Sequence, residues 1–323
     1  MIRDSSLNIL AATGLAFAAL CATADISAAG TCKPPRPRPT IVLKNMGPCD
    51  FNPDTLSFAG EPARQAMCLM RAMDHSRNLN PLLASLPDAL ATRIGQSVGL
   101  PSREQLSAYL SQRNLEWDLA ANLWRPVSHA RDNDPQAPAA RYFVLHDTSG
   151  PYYGGRPFPA DIDTRASINN LSHFKCSDNW EKAHAVINRK GDILLGHDFE
   201  IPWRETKFER AKNFDGALKG LFLHVEMIQP RRRAPGRGRR NDAQAPAPGF
   251  TAAQYDSLAL LYAIASVRAG NWLIPAFHAA LDTGIRGGHD DPMSFEIEVF
   301  SDRFEQLLTR LQKRNEPQIS LAP

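Results

Sequence analysis

The period of apolar and polar positions changes three times along the chain. Residues 7–22, LNILAATGLAFAALCA, form one apolar run behind Arg3 that ends among small residues, so residues 1–30 read as a cleaved secretory signal. A membrane helix needs about 20 apolar residues, and an uncleaved anchor is the alternative. Residues 31–40 hold CKPPRPRPT, a proline-rich, basic linker. Across 41–130 the period is helical, in short segments broken by Pro81, Pro87 and Pro101. There SREQLSAYLSQRNL opens on a capping box from Ser102 to Gln105 and sets Leu106, Tyr109 and Leu110 at helical spacing.

A second boundary, ARDNDPQAPAA, fills 130–140, and beyond it strands dominate: YFVLH, then AHAVIN and DILLGH around the turn residues RKG, then LFLHVEM. QPRRRAPGRGRRNDAQAPAPG follows, with arginines at 231, 232, 233, 237, 239 and 240. Its composition predicts an exposed, mobile insertion at 230–249, either a plain solvated loop or a handle for anionic envelope polymers. TAAQ at 251–254 is a second capping box, and the helix it starts carries Tyr255, Leu258, Tyr262 and Ala265 on one face and stops at Gly270. WLIPAFH reads as a last strand. The pattern predicts an α/β fold for 141–312, a mixed central β-sheet flanked by helices, preceded by a small helical region.

A length of 323 residues suffices for one large core or two domains. The net charge of +3 is close to balance and gives no reason to expect a nucleic-acid partner; basic character is local. Export permits disulfides among Cys32, Cys49, Cys68 and Cys176. None of them forms a CxxC pair, so a zinc knuckle is not supported. Cys49 with Cys68 is the preferred bridge, stapling CDFNPDTLSFAG onto the helix EPARQAMCLMRAM, and free buried thiols are the alternative.

Two strands end in histidine, at His146 and His278, and Asp291 lies thirteen residues beyond the second. A catalytic zinc takes three protein ligands of imidazole or carboxylate type and leaves one position open, which two histidines and an aspartate satisfy. In LFLHVEM, alternation puts Phe222, His224 and Glu226 on one face. A glutamate in an apolar strand is costly to bury unless it is paired or functional, a surface-facing edge strand being the other option.

HDTSG, AHAVINRKGDILLGH, LFLHVEM and AFHAALDTGIRGGHDDP stand in the order seen in the zinc-dependent N-acetylmuramoyl-L-alanine amidases related to peptidoglycan recognition proteins and phage T7 lysozyme, which the chain resembles over 141–308. The resemblance implies a Zn2+ site of His146, His278 and Asp291, the last preferred to Asp290 because it directly precedes Pro292. It implies Glu226 as the base and a periplasmic or secreted hydrolase acting on the amide between the lactyl group of muramic acid and L-alanine in peptidoglycan. The zinc would activate water and polarise the amide carbonyl. His289 stands where the family has a lysine and, if charged, would stabilise the oxyanion. Trp203 and Arg204 stand where the family has tryptophan and histidine, HVE replaces the glycine and isoleucine of the family's I-G-I-E strand, and the spacing before Asp291 is longer. His184 and His224 read as structural or groove-lining residues, and Thr148 and Ser149 as partners of nearby backbone or as turn caps. A non-catalytic muropeptide-binding module, or a zinc hydrolase of another amide on the same fold, is the alternative.

Overall fold

A computed structural model describes residues 40–43, 49–73, 78–113, 117–175, 183–237 and 241–313. The signal, most of the linker, Cys32, Cys176, Arg239 and Arg240 lie outside them. An antiparallel hairpin of β1 (Phe51–Asn52) and β2 (Ser57–Phe58) leads into α1 (Pro62–Leu69), α2 (Asp88–Ala91), α3 (Arg103–Gln112), α4 (Trp117–Ala121) and the single turn α5 (Ala130–Asn133). Then come β3 (Tyr142–Asp147), α6 (Ala166–Asn169), β4 (Ala185–Ile187), β5 (Ile193–Leu195), β6 (Phe222–Met227), α7 (Ala252–Ala269), β7 (Ile274–Phe277), α8 (His278–Leu281) and α9 (Ile297–Lys313). The sheet order is β5-β4-β6-β3-β7, with β5 antiparallel to β4 and the other neighbours parallel. The chain is therefore an α/β fold with a five-stranded mixed, mostly parallel sheet packed against helices. Among the described residues no helix is long and apolar enough to cross a membrane.

Every side chain of β3 is buried, and its alternation assigns the two faces of the sheet. Phe143 packs edge-on against Tyr262 of α7. On the opposite face the Tyr142 hydroxyl donates to Gln65 Oε1 of α1 and accepts from the Phe58 backbone N–H of β2. His146 shares the Tyr142 face. Because Tyr142 pairs with Phe222 and His146 with Glu226, the residues Phe222, His224 and Glu226 lie on that face too. The N-terminal segment thus covers the side of the sheet that carries the candidate site.

Both expected capping boxes form, at Ser102 and Thr251, and Gly270 ends α7 in a left-handed conformation. α7 differs from the expected one-faced helix, being buried on nearly all sides, because α9 covers the flank turned away from the sheet: Phe304 lies 5.4 Å from the Tyr262 ring. The hairpin interrupts the helical pattern expected of 41–130. Asn52 Oδ1 accepts from Asp54 N–H at the turn, and the Phe51 and Phe58 rings meet 4.9 Å apart, a unit too short to show in the periodicity. Cys49 and Cys68 are bridged as preferred, Cα to Cα 5.9 Å. One hydrophobic cluster runs from Cys49 to Leu311 and takes in N- and C-terminal residues alike.

The arginine-rich insertion is not the wholly exposed, mobile loop that its composition suggests. Arg231 is fully buried and pairs with Asp147 at the end of β3, where both side chains are 0% exposed. Arg232 and Gln244 exchange backbone hydrogen bonds, which closes the segment on itself. The cause is Asp147: a carboxylate buried beneath the strand end needs a cation, and composition does not reveal which arginine supplies it. Arg231→Ala strands that charge and should cost about 3–5 kcal/mol of stability, read by denaturant unfolding. A loss below about 1 kcal/mol would mean that Asp147 does not depend on the pair.

Candidate metal centre

The parallel strands β3 and β7 lie side by side and their carboxyl ends bring His146 and His278 together, the usual place for a ligand site in an open α/β sheet. The loop after α8 returns Asp291 to the same point, where its carbonyl accepts from Ala279 N–H. His146 Nδ1 lies 2.9 Å from His278 Nδ1, His278 Nδ1 3.2 Å from Asp291 Oδ2, and His146 Nδ1 3.6 Å from Asp291 Oδ2. For Zn–ligand bonds of 2.0–2.1 Å the edge of a tetrahedron is about 3.3 Å, so these three atoms have the spacing of one tetrahedral face. All three residues are buried. The structure brings together the three sequence-predicted ligands and puts Asp291, not the less buried Asp290, among the histidines.

Each imidazole is held from behind. His278 Nε2 lies 3.2 Å from Asp282 Oδ2, and Asp282 Oδ1 is fixed by the backbone N–H groups of Lys207 and Phe208. A proton shared with Asp282 sits on Nε2, leaving Nδ1 for a metal. His146 Nε2 lies 3.0 Å from His224 Nδ1, and His224 Nε2 lies 3.2 Å from Glu209 Oε1. His184 stacks on His224, accepts its backbone N–H at Nδ1 and reaches the Ile201 carbonyl through Nε2. A second group of donors, His146, Glu205 and His224, lies on this other side of the His146 ring.

Protonation follows the same geometry. Burial and then neighbouring His278 push His146 down to about 3, so it is neutral, the form that binds metal. Burial alone would lower His278, but the charge of Asp291 and hydrogen bonds to Asp282 and Asp291 outweigh it and hold His278 well above the ordinary imidazole range. Burial would raise Asp291, yet the charge of His278 and hydrogen bonds from His146, His278 and His289 keep it well below the carboxylate range. A proton on His278 therefore balances Asp291 when no cation is present, and a divalent ion would displace that proton. Burial pushes Glu209 up to about 7 against hydrogen bonds from Thr206 and Glu205. Burial first, then neighbouring histidines, holds His224 and His184 well below the imidazole range.

The three ligand candidates form the floor of a cleft of about 390 Å³ that is also lined by Ile41, Glu205, Lys207, Arg210, Glu226, Arg286 and His289. Glu226 is half-buried and is the partner of His146 in the parallel ladder. His289 is exposed at the rim, its ring stacked 4.4 Å from that of His278 and its Nδ1 3.3 Å from Asp291 Oδ1. Comparisons with protein-family models, curated proteins and solved structures return no match. Buried His/His/Asp and His/Glu/His groups can hold a metal ion, and what else the site does rests on its own geometry.

Thr148 and Ser149 bond locally, Thr148 Oγ1 to the Gly150 carbonyl and Ser149 N–H and hydroxyl to Asp147 Oδ1. The sequence motifs mark neither Asp282 nor Glu209 as a ligand or base candidate. Asp282 stands four residues after His278, one helical turn on the same face. Glu209 stands three after Thr206, in the spacing of a capping box, and its Oε2 accepts from Thr206 N–H, the Thr206 hydroxyl and Glu205 N–H.

Proposed function

We propose that the chain is an exported zinc hydrolase that cleaves the amide between N-acetylmuramic acid and L-alanine in peptidoglycan. The observation that supports the metal chemistry is the convergence of His146 Nδ1, His278 Nδ1 and Asp291 Oδ2 on one tetrahedral face at the floor of a cleft whose wall carries Glu226, and the choice of substrate rests on the resemblance of the motifs. Bound there, zinc supplies a Lewis acid for the amide carbonyl and for water. The Glu226 carboxylate takes the proton of the attacking water and passes it to the leaving amine. Lys207, Arg210 and Arg286 give the cleft cations for the carboxylates of a stem peptide. His289, at the rim beside Asp291, steadies that ligand and faces the reacting carbonyl in the role that a lysine fills in the amidases the chain resembles. The Cys49–Cys68 bridge is consistent with an oxidising compartment.

The test is metal analysis of the purified chain together with mass spectrometry of digested sacculi. Intact stem peptides should be released from the glycan, release should stop with a chelator, and added zinc should restore it. Zinc bound without any cleavage would instead favour a muropeptide-binding module, and cleavage of another amide would keep the metal chemistry while replacing the substrate.

A further inference from the structure

The His146 ring has two nitrogens, and a metal can use Nδ1 only if the proton sits on Nε2. Nε2 faces His224 Nδ1 at 3.0 Å, so His224 must be an acceptor there and carry its own proton on Nε2, which faces Glu209 Oε1 at 3.2 Å. The far carboxylate oxygen, Glu209 Oε2, accepts two backbone N–H groups, from Thr206 at 2.9 Å and Glu205 at 3.2 Å, and the Thr206 hydroxyl at 2.8 Å. Backbone donors cannot reverse. With Glu209 as the carboxylate that these three donors favour, the chain of hydrogen bonds has one direction, from His146 through His224 to Glu209, and both His224 and Glu209 are 0% exposed.

We propose that Glu209 is a positioning residue that acts through His224 to lock His146 in the tautomer that presents Nδ1 to a metal, a proposal that rests on His146, His278 and Asp291 being the ligand set. His224 stands where the resembling amidases have glycine, so the relay is a feature of this chain and not of the motif.

The test is Glu209→Gln, which changes one oxygen to NH2 at constant shape. The amide oxygen must take the Oε2 position, because the Thr206 and Glu205 donors point there, so the NH2 faces His224 Nε2. His224 then becomes the donor at Nδ1, His146 the acceptor at Nε2, and the His146 proton moves to Nδ1, where the ion belongs. Zinc affinity should fall on the order of 10–100-fold, the usual consequence of losing an outer partner of a metal ligand. Adding His224→Phe cuts the reversed relay, so the double variant should bind zinc more tightly than Glu209→Gln alone. A purely structural role predicts the opposite order, since a second buried change adds damage.

Affinity is read by competition with a chelator, and the tautomer directly by nitrogen-15 NMR of histidine-labelled, metal-free full-length protein. His146 and His224 protonated at Nε2 in the parent, with His146 protonated at Nδ1 in Glu209→Gln, is the expected result. Parental His146 protonated at Nδ1, or Glu209→Gln with unchanged affinity and tautomer, overturns the proposal. The NMR measurement needs neither metal nor a folded variant to judge the parent, so failure of zinc to bind would remove the ligand set and leave the relay separately decided.

Discussion

Replacing Asp291 by alanine should strip the protein of zinc and of hydrolysis together, whereas replacing Glu205 should leave the zinc in place. Among the described residues Asp291 is the only carboxylate whose oxygen approaches both His146 and His278, and its negative charge is the largest of the effects, shared with Asp282, that raise His278. Its loss removes one of three ligands and the anion that offsets the ion in a buried site, so affinity should fall well beyond the 10–100-fold that loss of an outer hydrogen bond costs. Occupancy after gel filtration should drop from about one ion per chain to below about a tenth. Glu205 belongs to the other donor group, whose two histidines meet at a distance that a single proton already bridges. The measurement is zinc content and chelator competition for both variants beside the parent. If Glu205→Ala loses the ion and Asp291→Ala keeps it, the metal sits between His146 and His224, and the relay to Glu209 serves that ion instead.

Much of this site was legible in the sequence for a simple reason. The ends of parallel strands are places where an apolar run stops abruptly, and a histidine at that stop is visible without coordinates. His146 and His278 are of this kind, and Asp291 stands out through the dipeptide it forms with Pro292. The face shared by His224 and Glu226 followed from the period of a strand. What stayed hidden depends on distant contacts. Glu209 lies in a loop with no period of its own, and nothing local says that its carboxylate ends beneath His224. Arg231 sits in a stretch whose composition speaks for solvent, and only the buried Asp147, 84 residues earlier, draws it inside. The hairpin at Phe51 and Phe58 is too brief for alternation to register, yet its aromatic rings help to cover the face of the sheet that bears the site.

Glu226→Gln should separate metal binding from chemistry. The side chain keeps its length, its place opposite His146 in the ladder and its capacity to hydrogen-bond, but an amide cannot accept a proton from water or carry it to an amine. Zinc content should therefore match the parent, and binding of a soluble muropeptide should change little, while turnover falls on the order of 10²-fold or more. That pattern, kcat lowered with KM nearly constant, marks an interaction made in the transition state and not in the ground state. Because Glu226 is not one of the three ligand candidates, parallel loss of zinc would show that the carboxylate supports the ion. Hydrolysis at the parental rate would take Glu226 out of the mechanism and leave proton transfer to another group on the cleft wall, of which Glu205 is the other carboxylate outside the ligand set.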